Sequence, residues 1–259
     1  MKQTFYKYQG TGNDFVMIDN RSNTFDKTDV KRVNFLCDRR FGIGGDGLIL
    51  LENHPEADFR MVYFNADGNE STMCGNGGRC ISQFAKDLGI IGDKGSFEAI
   101  DGMHYVVFEE GLVKLQMQDV ADIQKHDNYV FLNTGSPHHV QFEENIESFD
   151  IKTIGRNIRT GAPYFSEGTN VNFVQKQGAD TFRVRTYERG VEDETLSCGT
   201  GVTAVALAMH ALGETNANTV NLNVEGGELR VAFNAQDGKY NNVWLIGPAK
   251  QVFKGEVAW

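Results

Sequence analysis

Two cysteines that share the same local context are the residues of this sequence best suited to chemistry. Cys74 precedes Gly-Asn-Gly and Cys198 precedes Gly-Thr-Gly, and each segment leads into a helix-like pattern. A cysteine in the first turn of a helix meets the positive end of the helix dipole, which favours thiolate over thiol. The glycines let a ligand approach the backbone, and exposed N–H groups there suit a carboxylate. The sequence therefore predicts two helix starts that each supply a thiol and half of a carboxylate site.

Two thiols of this kind can invert a carbon centre. Inversion of an α-carbon requires that a proton leave one face and that a proton return to the other, and two acid/base groups on opposite faces do this directly. No metal or pyridoxal site is evident, so stabilisation of the carbanion falls to helix N-termini in a site that excludes water. We expect Cys74 and Cys198 to face each other across a small amino-acid substrate, without metal or cofactor.

An internal repeat supports two similar halves. At an offset of 124 residues, Tyr63–Gly77 aligns without a gap with Tyr187–Gly201. At an offset of 123 residues, Thr11-Gly12-Asn13 aligns with Thr134-Gly135-Ser136. Two matches in the same order and at almost the same interval indicate structural duplication. If an approximate two-fold axis relates the halves, both helix starts can reach one ligand.

The elements that must position the cysteines are two helices within sheet-rich halves. The helix after Cys74 ends before Gly89, and the helix after Cys198 ends before Gly213, each glycine being suited to the position after a C-cap. The second helix is apolar nearly all round and must be enclosed, which predicts a curved sheet around it. Short strand-like segments fill most of the remaining sequence. We therefore expect an α+β fold of two pseudo-symmetric lobes, each a mostly antiparallel, barrel-like sheet wrapped around a central helix.

The lobe boundary is expected in the polar segment 118–128. Residues 1–120 then form the N-terminal lobe and residues 121–249 the C-terminal lobe, with the active site in the cleft between them. A glycine pattern at residues 42–47 satisfies the dinucleotide-binding letters, but a helix-like segment precedes it and a strand-like segment follows it. We interpret this pattern as a helix-to-strand corner.

Composition excludes several classes of function. The chain of 259 residues has a net charge of −10, so it has no basic face for nucleic acid or anionic membrane. The N-terminal segment lacks an apolar export signal, which predicts a cytoplasmic protein with reduced thiols. Cys74 and Cys80 have no nearby histidine to complete a zinc site. Cys37 and Cys80 fall inside helix-like patterns and are expected to be structural.

The sequence resembles the diaminopimelate epimerase family along essentially its full length. The matching motifs are Tyr8-Gln-Gly-Thr-Gly-Asn-Asp-Phe, Arg40-Phe-Gly-Ile-Gly-Gly-Asp-Gly, Phe64-Asn-Ala-Asp-Gly, Met73-Cys-Gly-Asn-Gly-Gly-Arg-Cys, Gly135-Ser-Pro-His, Thr169-Asn-Val, Tyr187-Glu-Arg-Gly and Ser197-Cys-Gly-Thr-Gly. The resemblance implies reversible conversion of LL-2,6-diaminopimelate to the meso form, on the route to lysine and peptidoglycan, without metal or pyridoxal phosphate. It also implies a homodimer, and a final strand at about residues 250–259 that returns to the first lobe.

The resemblance assigns roles to individual residues. Cys74 and Cys198 would be the acid/base pair, and His138 and Glu188 would tune the thiols. Substrate binding would fall to Asn13, Asn65, Gly75, Asn76, Asn170, Glu188, Arg189, Gly199 and Thr200.

Three departures from the family pattern affect the details of substrate contact. Ser136 stands where many members have Asn, and Gly47 where some have Gln. Glu188 lies ten residues before Cys198, where other members have nine, so the loop Val191–Leu196 is expected to differ in shape.

Other readings remain open at this point. An isomerase of the same architecture, similar to proline or hydroxyproline racemases or to PhzF-type isomerases, is the nearest alternative. Proline-racemase-like chains tend to be longer and to carry His after the first Cys-Gly, and PhzF-like chains lack the paired cysteines. A thiol redox sensor with a disulfide between Cys74 and Cys198 is an alternative of another class.

Overall fold

The computed structural model describes residues 2–258, which divide into two compact units. Among these residues, the first unit comprises those up to Leu115 together with those from Gly247 onward, and the second comprises Gln116–Ile246. Each unit combines a majority of strands with α-helices, so the predicted α+β class is confirmed.

The first unit contains two helices among its strands. Its elements are β1 (Lys2–Gly10), β2 (Asn13–Asp19), α1 (Val30–Cys37), β3 (Gly47–Glu52), β4 (Phe59–Asn65), α2 (Gly75–Asp87), β5 (Lys94–Ala99), β6 (Gly102–Glu109) and β7 (Leu112–Gln116), which ends one residue past the unit boundary, with β17 (Lys250–Ala258) from the end of the chain. β17 pairs antiparallel with β1, and residue 259 lies outside the described residues.

The second unit repeats this order with additional short elements. Its elements are β8 (Ile123–Lys125), β9 (Val130–Asn133), β10 (Pro137–Phe142), a 3-10 turn (Ile146–Ser148), α3 (Ile151–Thr160), β11 (Asn170–Lys176), β12 (Thr181–Glu188), β13 (Asp193–Thr195), α4 (Gly199–Ala211), β14 (Thr219–Val224), β15 (Gly227–Gln236) and β16 (Lys239–Gly247), which ends one residue past the unit boundary.

Strand pairing has the same pattern in both units. In the first unit, β2 pairs in parallel with β3, β3 antiparallel with β4, and β4 in parallel with β5. In the second unit, β10, β11, β12 and β14 make the same sequence of parallel, antiparallel and parallel pairs. The predicted repeat is therefore confirmed at the level of topology.

The turns that open β2 and β10 fix which residues correspond. Gly12 precedes β2 and Gly135 precedes β10, and both have positive φ, 86° and 108°. This spacing makes Phe15 the counterpart of His138, and parallel pairing sets Gly47 opposite Phe15 and Asn170 opposite His138.

The next strands follow the same correspondence. Antiparallel pairing sets Leu48 opposite Phe64 in the first unit and Val171 opposite Tyr187 in the second. Asn65 therefore corresponds to Glu188, and the gapless alignment of Tyr63 with Tyr187 is wrong by one residue within these strands. The two cysteines are 124 residues apart, whereas the strand residues correspond at an offset of 123. The second unit therefore has one extra residue between Glu188 and Cys198.

Each unit encloses one helix among its own strands. α2 packs against β1, β2, β3, β4 and β17, and α4 packs against β9, β10, β11, β12, β14 and β15. The predicted enclosure of α4 is confirmed, since all its residues from Gly201 to Met209 are buried. Gly89 and Gly213 follow the C-caps with φ of 72° and 77°, as predicted. Closure of either sheet into a barrel remains a prediction.

The glycine pattern at residues 42–47 lies between α1 and β3. The predicted helix-to-strand corner is therefore confirmed. Gly42 is required there because a Cβ would lie 1.8 Å from the carbonyl oxygen of Phe35.

Candidate active site

Both cysteines occupy the N-cap position of an enclosed helix. Cys74 caps α2 with extended backbone angles (φ −95°, ψ 131°), and Cys198 caps α4 in the same way (φ −118°, ψ 112°). The predicted helix starts are confirmed, with each cysteine one position before the first helical residue. The thiols therefore lie at the positive ends of two helix dipoles.

Asn13 contacts the first cysteine. It begins β2 directly after the tight turn at Thr11 and Gly12, and its Oδ1 lies 3.6 Å from Cys74 Sγ and 3.4 Å from Asn76 Nδ2. On its other side, Asn13 donates from Nδ2 to the carboxylate of Asp46. The Asn13 amide is therefore oriented from both ends, with its oxygen toward the thiol.

Ion pairs hold the segment that carries Asp46. Arg39 lies 2.6 Å from Asp14 and 2.7 Å from Asp46, and the buried Lys7 lies 2.7 Å from Asp14. Burial by itself would raise the pKa of Asp14, but hydrogen bonds from Arg39 and Lys7 outweigh it and lower the pKa to about 2. Asp14 therefore stays ionised and fixes the loop beside Asn13.

Arg79 supports the start of α2 from inside the protein. Its guanidinium donates to Asn76 Oδ1 (3.0 Å), to Thr11 Oγ1 (3.2 Å) and to the carbonyl of Gly75 (3.3 Å). Arg79 is fully buried, and burial lowers its pKa from the ordinary value. Sequence analysis quoted Arg79 within a motif but gave it no role, although an arginine inside an otherwise enclosed helix was a usable signal.

The hydrogen bonds of Asn65 connect it to the turn that follows β4 and not to Cys74 or Arg79. It ends β4, is exposed, and its backbone bonds to Asn69 and Gly68 in the following turn. Its pairing partner Gly47 leaves no room for a side chain, because a Cβ would lie 2.5 Å from the carbonyl oxygen of Phe64. The packing around position 47 therefore requires glycine in this chain.

Two hydroxyl groups lie in line between the second cysteine and His138. Cys198 Sγ lies 3.5 Å from Thr200 Oγ1, which lies 3.2 Å from Ser136 Oγ. Ser136 in turn lies 2.9 Å from His138 Nε2. Ser136 corresponds to Asn13 in the repeat. Asn13 contacts Cys74 directly, whereas Ser136 is linked to Cys198 through Thr200.

His138 is buried and neutral. Burial lowers its pKa to about 3, and the positive charge of Arg189 acts in the same direction. Asn172 Nδ2 donates to His138 Nδ1 (3.1 Å), and Thr186 Oγ1 donates to Asn172 Oδ1 (3.0 Å). Sequence analysis missed Asn172, because an Asn inside an apolar strand pattern has no local signature.

Asn170 places the segment that follows β12. Its Oδ1 accepts from the Arg189 backbone N–H (2.9 Å), and its Nδ2 donates to Pro137 O (3.0 Å) and Ser136 Oγ (3.2 Å). The Arg189 guanidinium donates to Glu167 O at 3.0 Å. Both polar ends of Asn170 are thus engaged within the protein.

Glu188 ends β12 and accepts from Thr195 Oγ1 at 3.0 Å. The two residues lie on β12 and the short strand β13, which pair antiparallel. Ion pairs from Arg159 to Glu192, from Lys152 to Asp193 and from Arg185 to Glu194 anchor this loop. The longer loop before Cys198 is therefore an ordered structure.

The other titratable candidates are structural. Burial raises the pKa of Cys37 and of Cys80 to about 12, so both stay as thiols. His139 stacks on Tyr129 with centroids 4.3 Å apart and lies 2.9 Å from Tyr164 Oη. Residues 2–258 contain no group of three or more His, Cys, Asp or Glu side chains that could hold a metal ion.

Sequence comparison places the chain in a known family. The family model of diaminopimelate epimerase matches residues 5–124 and 130–252. The chain belongs to the diaminopimelate epimerase family. Diaminopimelate epimerases to which it is similar include those of Flavobacterium psychrophilum (58% identical over 250 residues, 96% of this chain and 98% of the relative) and Chlorobaculum tepidum (44% over 257 residues, 96% and 98%). Membership of the diaminopimelate epimerase family makes the chain an isomerase that acts as an epimerase.

Solved structures extend the likeness of fold. A PhzF-family phenazine biosynthesis protein from Bacillus anthracis has a TM-score of 0.79 at 12% identity and covers 100% of both chains. A hydroxyproline epimerase from Agrobacterium vitis has a TM-score of 0.68 at 15% identity and covers 99% of this chain and 92% of that one. At these identities the likeness concerns the fold alone. Among the described residues, no helix has the length and apolar character needed to span a membrane.

Proposed function

We propose that this chain interconverts LL-2,6-diaminopimelate and meso-2,6-diaminopimelate by proton transfer between Cys74 and Cys198. The observation that carries the proposal is the equivalent placement of the two cysteines, each as the N-cap of the enclosed helix of its unit. The substrate follows from the relatives, which are named for diaminopimelate. In this proposal the two helix starts share one active site in a cleft between the units.

The proposed chemistry needs two sulfur atoms and no external reactant. The thiolate of one cysteine takes the α-proton, the C–H bond breaks, and its electron pair remains on the α-carbon. The thiol of the other cysteine then gives its proton to the opposite face, so that the carbon is inverted and the charge has moved to the second sulfur. Each turnover thus exchanges the roles of Cys74 and Cys198.

Backbone N–H groups would stabilise the carbanion. We assign this role to the first residues of the two helices, Gly75 with Asn76 and Gly199 with Thr200. Helix starts carry N–H groups without intrahelical partners and a positive dipole end, which suit the substrate carboxylate as it gains enolate character. Arg79 supports this proposal by fixing Gly75 and Asn76 from the buried side.

Polar residues beyond the helix starts would bind the two charged ends of the substrate. We assign direct contact to Asn13, Asn65 and the Glu188-Arg189 pair, since carboxylates accept the fork of an arginine and amines need acceptors. Asn170 accepts from the Arg189 backbone N–H, and we assign it the placement of Arg189.

Substrate conversion by the purified protein tests the proposal. We expect interconversion of the LL and meso isomers without added cofactor, with no change after a chelator or a carbonyl reagent that traps pyridoxal phosphate. Free proline should stay unconverted, because it lacks the second charged end. Robust proline racemisation without diaminopimelate conversion would overturn the assignment. The homodimer remains a prediction from the resemblance, and the cytoplasmic location remains a prediction from the N-terminal segment.

A further inference from the structure

Buried polar residues near Cys198 replace apolar residues of the first unit. His138 and Asn172 correspond to Phe15 and Ile49, and all four side chains have no exposed surface. Burial of polar groups costs free energy unless each of them is hydrogen-bonded, so a polar pair at apolar repeat positions needs a compensating role. Gly201 makes room for the pair, because a Cβ there would lie 2.5 Å from Asn172 Oδ1.

The amide of Asn172 has one orientation in this network. Its Oδ1 accepts from Thr186 Oγ1 at 3.0 Å, and its Nδ2 donates to the carbonyl of His139 at 3.0 Å. A flipped amide would set its oxygen against that carbonyl. The second N–H of Asn172 therefore points at His138 Nδ1, which lies 3.1 Å from Nδ2.

Acceptance at Nδ1 fixes the tautomer of His138. A neutral imidazole that accepts at one nitrogen carries its proton on the other, so His138 donates from Nε2 to Ser136 Oγ at 2.9 Å. The charged group that acts on His138 is Arg189, whose positive charge disfavours the imidazolium and so preserves this direction.

Hydrogen-bond donation continues in the same direction, toward Cys198, through the hydroxyl groups of Ser136 and Thr200. Ser136 Oγ accepts from His138 and, at 3.2 Å, from Asn170 Nδ2, so both of its acceptor positions are used. The Ser136 hydroxyl must then donate, and Thr200 Oγ1 lies 3.2 Å away. Thr200, as the acceptor, keeps its own hydrogen for Cys198 Sγ at 3.5 Å.

We propose that this chain of hydrogen bonds, from Asn172 through His138, Ser136 and Thr200, selectively stabilises the thiolate of Cys198. A donor aimed at sulfur favours the charged form, and successive donors in a buried chain polarise one another. Thr200 is the donor to the reacting atom, and Ser136, His138 and Asn172 are positioning residues. The role of this thiolate in catalysis rests on the proposed function. The stabilisation of the thiolate itself does not, because it can be measured without substrate.

The first thiol meets a different group. Asn13 presents its oxygen to Cys74, with its amide nitrogen toward Asp46 and its oxygen shared with Asn76 Nδ2. The buried Arg79 of the helix that Cys74 caps interacts electrostatically with that thiol. The two cysteines are therefore supported by different means, and a change at Thr200 should be felt by Cys198 alone.

Alkylation rates of single thiols test the proposal. In Cys74→Ala protein, the rate of Cys198 modification by iodoacetamide is measured by peptide mass spectrometry from pH 5 to pH 10 and scaled to its own plateau, which removes differences in access. Thr200→Val should lower the scaled rate near neutral pH about tenfold, the effect of losing one charge-assisted hydrogen bond. Thr200→Ser keeps the hydroxyl and should restore the original profile. Ser136→Ala should act in the same direction with a smaller effect.

A matched control uses the other thiol. In Cys198→Ala protein, Thr200→Val should leave the scaled profile of Cys74 unchanged. Equal shifts for both cysteines, or no shift of Cys198 with Thr200→Val, would overturn the proposal. Nitrogen NMR of the histidine ring gives a second measurement, since His138 should carry its proton on Nε2, and a proton on Nδ1 would contradict the donor direction.

The outcomes separate this inference from the proposed function. If diaminopimelate is not epimerised but the Cys198 profile responds to Thr200 as stated, the function is wrong and the hydrogen-bond chain stands. If epimerisation is observed and the profile does not respond, the chain alone is rejected.

Discussion

The guanidinium of Arg79 lies 3.0 Å from the side-chain oxygen of Asn76, and both side chains are fully buried. This contact joins a buried charge to the first turn of the helix that Cys74 caps. Loss of the buried hydrogen bonds of this guanidinium costs about 1–3 kcal/mol. Arg79→Met should therefore lower both the free energy of unfolding, measured in urea, and the turnover number.

Two other substitutions calibrate this result. Arg79→Lys keeps a charge but not the planar fork that reaches Gly75, Asn76 and Thr11, so it should recover stability only in part. Arg21→Met removes a solvent-exposed pair with Asp19 and should change stability by less than about 0.5 kcal/mol. A fully stable and active Arg79→Met protein would show that the contact is dispensable.

Equivalent glycines of the two helices should respond differently to alanine. A Cβ at Gly201 would lie 2.5 Å from Asn172 Oδ1 and 3.2 Å from Cys198 Sγ, both held in place. A Cβ at Gly77 would meet the ends of Ile49 and Met61, at 3.1 and 3.4 Å, which can move aside. Gly201→Ala should reduce kcat/KM by at least about tenfold more than Gly77→Ala. Equal losses in the two variants would contradict this account of the second helix start.

Asp14 should make stability depend on pH in the acid range. Its folded pKa of about 2 lies below the ordinary value of 3.8, so the unfolded chain binds the proton more readily. The contribution is fully present above pH 4 and is lost as pH falls toward 2. Asp14→Asn should cost about 2 kcal/mol at pH 7, and the difference from the original protein should shrink in urea titrations at pH 3. Asp93→Asn, at an exposed pair with Lys86, serves as the control with little change at either pH.

Thiol alkylation should divide the four cysteines into two pairs. Burial raises the pKa of Cys37 and Cys80 to about 12, so neither supplies thiolate at pH 8. Cys74 and Cys198 lie at helix N-termini, where thiolate is favoured. Iodoacetamide at pH 8 should therefore modify Cys74 and Cys198, as read by peptide mass spectrometry, well before the other pair. Early modification of Cys37 or Cys80 in folded protein would refute the assignment.

Local patterns in the sequence predicted the helix starts and ends of α2 and α4, and the corner at residues 42–47. These features depend on glycine conformations and helix periodicity, which act within a few residues. α3 (Ile151–Thr160) was missed although Asp150 accepts from the Thr153 N–H as an N-cap, because a short helix with few buried residues has a weak apolar pattern. β8 and β13 have no strand signal of their own, since each has three residues, none of them buried, and each is held by antiparallel pairing with its neighbour along the chain.

The site was predictable where one residue carried the signal. Cys74 and Cys198 were identified from their repeated context, and Asn13 was identified through the family resemblance. Asn172 acts through contacts made by folding, and no pattern in its own neighbourhood marks it. Asp46 lies within a motif of the family resemblance, but its contact with Asn13 joins segments 33 residues apart and follows only from the fold. Correspondence between Asn65 and Glu188 likewise required strand registers, because one extra residue precedes Cys198.

Solvent deuterium incorporation tests the two-base mechanism most directly. If Cys74 and Cys198 act from opposite faces, the sulfur that removes the α-hydrogen is not the one that returns a proton, and the returning thiol has exchanged with solvent. In deuterium oxide, the product isomer should contain one deuterium at the inverted carbon from the first turnovers, while remaining substrate stays almost unlabelled. Cys74→Ala and Cys198→Ala should each abolish inversion. Equal early labelling of substrate and product, or inversion at near normal rate by either single variant, would contradict the mechanism.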